Sequence, residues 1–133
     1  MKILVVEDSE IITKLMSISL AALGFITDVA STGNEAIKLS CENKYDLIFM
    51  DIGLPDIDGI NVTKQIRKNN TYYENIPIIA LTAHNKEETR EACLVAGMND
   101  FMTKPIDIKH LYELIYNLKN KAYCHDEKIH LNS

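Results

Sequence analysis

Short apolar runs recur along the chain at Ile3–Val6, Ile26–Ala30, Leu47–Met50 and Ile78–Leu81, with a weaker fifth at Phe101–Met102. The clearest are continuous, not alternating, which is the pattern of strands buried on both faces of a parallel sheet. Each run is followed by helical spacing. Ile12, Leu15, Met16 and Leu23 form the first stripe, and Ala36, Ile37, Ser40 and Cys41 the second. Ile60, Thr63 and Ile66 form the third, and Ile108, Leu111, Tyr112, Ile115 and Leu118 the last. The fourth, Thr89, Ala92, Cys93 and Ala96, has only small or weakly apolar side chains, so that helix should pack least firmly. Ser9, Thr32 and Asp107 have the chemistry of helix N-caps, and Gly24 that of a stop. Five strands alternating with five helices predict a doubly wound α/β sandwich. In such sheets the working site lies beyond the carboxyl ends of the strands, where strand order reverses.

Composition narrows the class. The chain has 133 residues, enough for one domain with a full core. Apolar residues at 47% and charged residues at 25% exclude wholesale disorder. A net charge of −5 disfavours a nucleic-acid phosphate backbone as a direct partner. Cys41, Cys93 and Cys124 are odd in number and lack C-x-x-C spacing, against a disulfide framework or zinc cluster. No apolar run approaches a membrane span, and Glu7 and Asp8 come too early for a signal peptide. The expectation is a cytoplasmic protein with no membrane partner. Its domain should cover residues 1–120, and 121–133 should be a polar tail or the start of a linker.

The residues after each strand carry the chemistry. Strand one runs into Glu7-Asp8, strand three into Asp51, strand four into Thr82-Ala83 and strand five into Lys104-Pro105. The predicted fold therefore brings three carboxylates, a hydroxyl and an ammonium to one sheet edge. Carboxylates about 7 Å apart repel by roughly 2 kcal/mol per pair at an effective dielectric of 20. Gathering them without a cation is unfavourable, and all-oxygen ligands suit Mg²⁺, which favours phosphate as a further partner.

These residues resemble a response-regulator receiver domain (CheY-like), the phosphoacceptor module of two-component signalling. The resemblance rests on Val5-Val6-Glu7-Asp8, on Phe49 through Gly59 (Phe-Met-Asp-Ile-Gly-Leu-Pro-Asp-Ile-Asp-Gly), on Ala80-Leu81-Thr82-Ala83 and on Lys104-Pro105. It covers roughly residues 1–120 and implies a flavodoxin-like (βα)5 fold with a parallel sheet in the order 2-1-3-4-5. It also implies roles. Asp51 would be the phosphoacceptor, and Asp8, Asp51 and the Gly53 carbonyl would bind Mg²⁺, with Glu7 acting through a water. Lys104, aimed by a cis Lys104–Pro105 bond, and Thr82 would contact the phosphoryl oxygens. Phe101 stands where the family has a switching Tyr or Phe, and lacks a hydroxyl. Gly53 and His84 occupy positions that tune acyl-phosphate lifetime. The donor, a histidine kinase or histidine-containing phosphotransfer domain, would dock near Ile11, Lys14 and Ile106. Output would run through the face of helix four, strand five and helix five to a downstream protein target. The segment Met50–Arg67 and the run Ile76–His84 look like receivers of hybrid histidine kinases.

Three rivals share parts of this pattern. A haloacid-dehalogenase-type phosphatase needs a second Asp two positions after its nucleophile, where this chain has Gly53. A flavodoxin-like FMN module needs a Ser/Thr/Gly-rich first loop, where Glu7-Asp8 would repel phosphate. A phosphorylation-independent receiver scaffold remains as the alternative binding module, although all five site residues are present.

Overall fold

The computed structural model describes residues 1–83 and 87–131, with side chains described as far as residue 120. His84 and the side chains of 121–133, which include Cys124, lie outside the described residues. Five strands alternate with five helices: β1 (Lys2–Val6), α1 (Glu10–Ala22), β2 (Ile26–Ala30), α2 (Gly33–Glu42) and β3 (Leu47–Asp51), then α3 (Gly59–Asn69), β4 (Ile78–Thr82), α4 (Glu87–Val95), β5 (Asp100–Thr103) and α5 (Ile108–Leu131). A 3-10 turn at Thr71–Glu74 was not anticipated from the sequence. The sheet is parallel throughout in the order β2-β1-β3-β4-β5, a flavodoxin-like α/β fold.

The continuous apolar runs occupy the sheet centre, where both faces are covered. Alternate residues of each strand enter opposite cores. Leu4, Val6, Ile48, Met50, Ile78 and Ala80 pack with Ala36, Val62, Ile66 and Cys93. Ile3, Val5, Leu47, Phe49, Ile79 and Leu81 pack with Met16, Leu20, Leu111 and Ile115. Helices α1 and α5 therefore cover one face, and α2, α3 and α4 the other. The edge strands are less buried, which accounts for Asp28 in β2 and Thr103 in β5.

The N-caps Ser9 and Thr32 accept hydrogen bonds from the Ile12 and Glu35 amides. Asp107 Oδ1 accepts from the Lys109 amide. Gly24 takes φ +86°, a left-handed conformation that suits glycine after a helix.

The first helix corrects the predicted stripe. Leu15 and Leu23 are exposed, and α1 buries Met16, Ser19 and Leu20. Ser19 is admitted because its hydroxyl donates to the Leu15 carbonyl at 2.7 Å, which leaves no unsatisfied donor. In α4, Cys93 is the buried residue, while Ala92, Leu94 and Val95 face outward. The last helix continues to Leu131, through most of the segment read as a tail. Among the described residues no helix is long and apolar enough to cross a membrane.

Candidate functional site

The strand register decides what meets at the carboxyl edge. β1 pairs with β3 and β3 with β4, so Glu7, Asp51 and Thr82 fall at neighbouring strand ends. The Lys104 amide donates to the Thr82 carbonyl at 2.8 Å, which carries β5 one residue further along β4 and delivers Lys104 to the same edge. The Lys104–Pro105 peptide bond is cis.

Asp51 is 3% exposed and Glu7 1%, both unusual for carboxylates. One oxygen each from Glu7, Asp8 and Asp51 lies within 4.8 Å of the others. Asp51 Oδ1 accepts from the Gly53 amide at 2.9 Å and lies 3.1 Å from Lys104 Nζ. Lys104 Nζ also lies 2.6 Å from Glu7 Oε1. Glu7 Oε2 accepts from the Ser9 amide at 2.9 Å. Glu7 Oε1 has no donor aligned on it as a hydrogen bond, so its contact with Lys104 is a pairing of charge.

Burial pushes the Glu7 carboxyl above the usual glutamate range, against the lowering influence of Lys104 and the Ser9 amide. Burial pulls the Lys104 ammonium down, but its close pairing with Glu7 and the charge of Asp51 outweigh it. The ammonium ends above the ordinary lysine value. Among the described residues, one cation thus faces this cluster of three carboxylates. A buried acceptor without an aligned donor, beside two further carboxylate oxygens, is a donor set that fits a hard divalent cation such as Mg²⁺.

The loop after Asp51 is held tightly. The Gly59 amide donates to the Ile52 carbonyl at 3.1 Å, and Asp58 caps α3 through the Asn61 amide. A Cβ on Gly59 would stand 2.2 Å from the Asp51 carbonyl oxygen, so only glycine permits this approach. The Asp56 carboxylate accepts from the Gly33 and Asn34 amides at 2.8 and 3.0 Å, fastening the loop to the start of α2.

Of the other residues singled out in the sequence, Thr82 is 2% exposed and ends β4. Phe101 on β5 is half-buried, with the Arg90 guanidinium 4.1 Å from its ring centre. Ile11 is 81% exposed on α1 beside exposed Lys14, and with Leu15 and Ile18 it forms an outward apolar stripe. Ile106 is 8% exposed and packs into the core beneath α1 and α5, so it offers little surface to a partner. The sequence reading missed the Glu7–Lys104 pair and Arg90. Opposite charges at one sheet edge signal the pair, whereas nothing local marks Arg90.

Residues 3–116 match the response regulator receiver domain model, and the chain belongs to that family. It is 40% identical over 115 residues to hybrid signal transduction histidine kinase B of Dictyostelium discoideum, covering 79% of this chain and 6% of that protein. It is 42% identical over 104 residues to the alkaline phosphatase synthesis transcriptional regulatory protein PhoP of Bacillus subtilis, covering 78% of this chain and 42% of that protein. The chain therefore spans less than half the length of either relative. Among solved structures, it resembles the receiver domain of sensor histidine kinase PA1611 of Pseudomonas aeruginosa with a TM-score of 0.77 and 36% identity. That match covers 85% of this chain and 92% of the other, whose active-site cleft coordinates a magnesium ion. The chain is thus a receiver domain of two-component signalling.

Proposed function

We propose that this domain accepts a phosphoryl group on Asp51 from a phosphohistidine donor, on a histidine kinase or a histidine-containing phosphotransfer domain, in a Mg²⁺-dependent phosphorelay. The carrying observation is the setting of Asp51. It ends a fully buried strand, its Oδ1 is held by the Gly53 amide and Lys104, and two further carboxylates lie beside it. Oδ2 is the oxygen assigned to attack. Its bond to phosphorus forms as the phosphorus–nitrogen bond of the donor breaks, and the imidazole leaves with the electron pair.

Asp8, Asp51 and the Gly53 carbonyl would hold Mg²⁺, with Glu7 acting through a water. The ion would supply charge neutralisation to the phosphoryl oxygens. Lys104 turns from Glu7 and Asp51 toward those oxygens, and Thr82 donates its hydroxyl to one of them. The new charge then favours a second arrangement of Thr82, Phe101 and α4, and the α4-β5-α5 face carries the change to a downstream protein. The exposed Ile11, Lys14, Leu15 and Ile18 stripe on α1 supports donor docking beside the site.

The test is intact mass after incubation with acetyl phosphate and Mg²⁺, for wild type, Asp51→Asn and wild type with excess chelator. One added phosphoryl group, absent from the variant and the chelated sample, is the expected result. Addition that persists in Asp51→Asn would overturn the assignment. No addition, together with no beryllofluoride complex, would favour a phosphorylation-independent scaffold.

A further inference from the structure

Helix α4 is fastened at one end by an arginine outside the site. Half-buried Arg67 of α3 donates to the Gly97 carbonyl at 2.5 Å, to Asn99 Oδ1 at 2.9 Å, to the Ile76 carbonyl at 2.6 Å and to the Tyr73 carbonyl. Asn99 in turn exchanges hydrogen bonds with the Ile78 backbone, its amide at 2.8 Å and its side chain at 2.9 Å. The turn that ends α4, with Gly97 at φ +101°, is therefore pinned to α3 and to the first residue of β4. Burial holds the Arg67 guanidinium below its usual pKa, but its charge is answered by four oxygen acceptors.

The body of α4 has weaker moorings. Cys93 is its buried residue, and Leu94 and Val95 are 56% and 80% exposed. On its solvent side, Arg90 makes a contact with β5, its guanidinium lying 4.1 Å from the centre of the Phe101 ring. Arg90 stands seven residues before Gly97, or about 10 Å along the axis at 1.5 Å per residue. A turn of about 20° about the pinned end moves it by roughly 3–4 Å, past the ~6 Å reach of a cation–π contact. Phe101 lies three residues before Lys104, on the strand whose end is tied to Thr82. The stack thus joins α4 to the strand that carries the site's ammonium.

Building on the phosphoacceptor reading, we infer that the Arg90–Phe101 stack is a latch. It holds α4 against β5 in the arrangement described, about a hinge pinned by Arg67, and its strength sets how readily the domain enters the phosphorylated arrangement. Phe101 has no hydroxyl with which to fix its position, and the guanidinium face supplies that restraint.

The experiment is a beryllofluoride titration at saturating Mg²⁺, followed by amide resonances of the ¹⁵N-labelled full chain. Wild type, Arg90→Ala, Arg90→Lys and Asp51→Asn are compared. An exposed cation–π contact predicts that Arg90→Ala binds about two- to five-fold more tightly than wild type, with Arg90→Lys between them. The unliganded Arg90→Ala protein should also show α4 resonances moved toward their bound positions. A complex in wild type with equal or weaker affinity in Arg90→Ala overturns the latch and leaves the phosphoacceptor reading standing. No complex in wild type overturns that reading, and the latch with it. Arg90 is exposed, so a cooperative melt of Arg90→Ala no more than a few degrees below wild type in the absence of ligand serves as the folding control.

Discussion

Asp8→Asn should stabilise the metal-free protein and remove its response to Mg²⁺. Most substitutions at a binding site either destabilise or do nothing, so the sign is informative. Asp8 offers an oxygen within 4.8 Å of oxygens of both Glu7 and Asp51. At an effective dielectric of 20, each like-charge pair at that separation costs roughly 3.5 kcal/mol. Asp8 is exposed, and solvent reduces each pair to about 0.5 kcal/mol. Two such pairs make the gain about 1 kcal/mol. The Lys104 contacts fall on Glu7 and Asp51, so Asp8→Asn sacrifices neither of those ion pairs.

In wild type, Mg²⁺ at ten times its dissociation constant should add about 1.4 kcal/mol by linkage. For a domain of this size that raises the melting temperature by roughly 5 °C. Thermal melts of both proteins, with chelator and across a Mg²⁺ titration to several millimolar, provide the measurement. Expected is a variant that melts a few degrees higher than wild type in chelator and barely shifts with Mg²⁺. A variant that melts lower in chelator, or keeps the full Mg²⁺ shift, would refute the repulsion argument and the ligand assignment respectively.

Two further substitutions probe the loop that carries Gly53. Gly59→Ala places a methyl 2.2 Å from the Asp51 carbonyl oxygen and 2.8 Å from Ile52 Cα, against backbone that cannot swing aside. It should cost about 1–3 kcal/mol in urea denaturation and slow phosphoryl uptake from acetyl phosphate. Unchanged stability and uptake would show that α3 shifts freely. The Asn34 and Gly33 amides hold the Asp56 carboxyl below its ordinary value of 3.8. Its contribution is therefore present above that pH and lost as pH falls through the lower folded value. Asp56→Asn should flatten the acid limb of the stability–pH curve below about pH 4, and an acid limb parallel to wild type would count against the clamp.

The central strands were legible because their environment leaves one solution. β1, β3 and β4 are covered on both faces, so apart from Lys2, Asp51 and Thr82 at their ends every position is apolar and the runs are unbroken. The site was legible for a related reason, since parallel topology sends every strand's carboxyl end to one edge. What escaped depended on how individual polar side chains are satisfied. Ser19 reads as polar, yet its hydroxyl is satisfied within the helix and joins the buried stripe. Tyr73 sits in a polar stretch, yet is fully buried because its hydroxyl lies 2.9 and 2.7 Å from the Ser40 and Asn43 carbonyls. Arg67 looks like a solvated helix-end cation and instead binds three carbonyls and Asn99. In each case a polar atom is satisfied in a way periodicity does not register, within the helix for Ser19 and across the fold for Tyr73 and Arg67.

On the proposed phosphoacceptor reading, the position of Lys104 gives a reason for its cation and a metal ion to act together. Before phosphoryl transfer its ammonium lies between Glu7 and Asp51, and it is the close counterion of a carboxylate with no solvent exposure of its side chain. On the phosphoacceptor reading, the arriving phosphoryl group draws that ammonium away. Glu7 then loses its compensation inside a buried site, which is among the costliest changes electrostatics allows. A divalent cation held by Asp8 and Asp51 would supply positive charge that restores the balance, and without one the exposed acid would oppose the step. Mg²⁺ dependence then follows from Glu7 as much as from the phosphoryl oxygens. Glu7→Gln, which needs no counterion, should relax the Mg²⁺ requirement for beryllofluoride capture relative to wild type. An unchanged requirement would place the whole metal dependence on Asp8, Asp51 and the phosphoryl group.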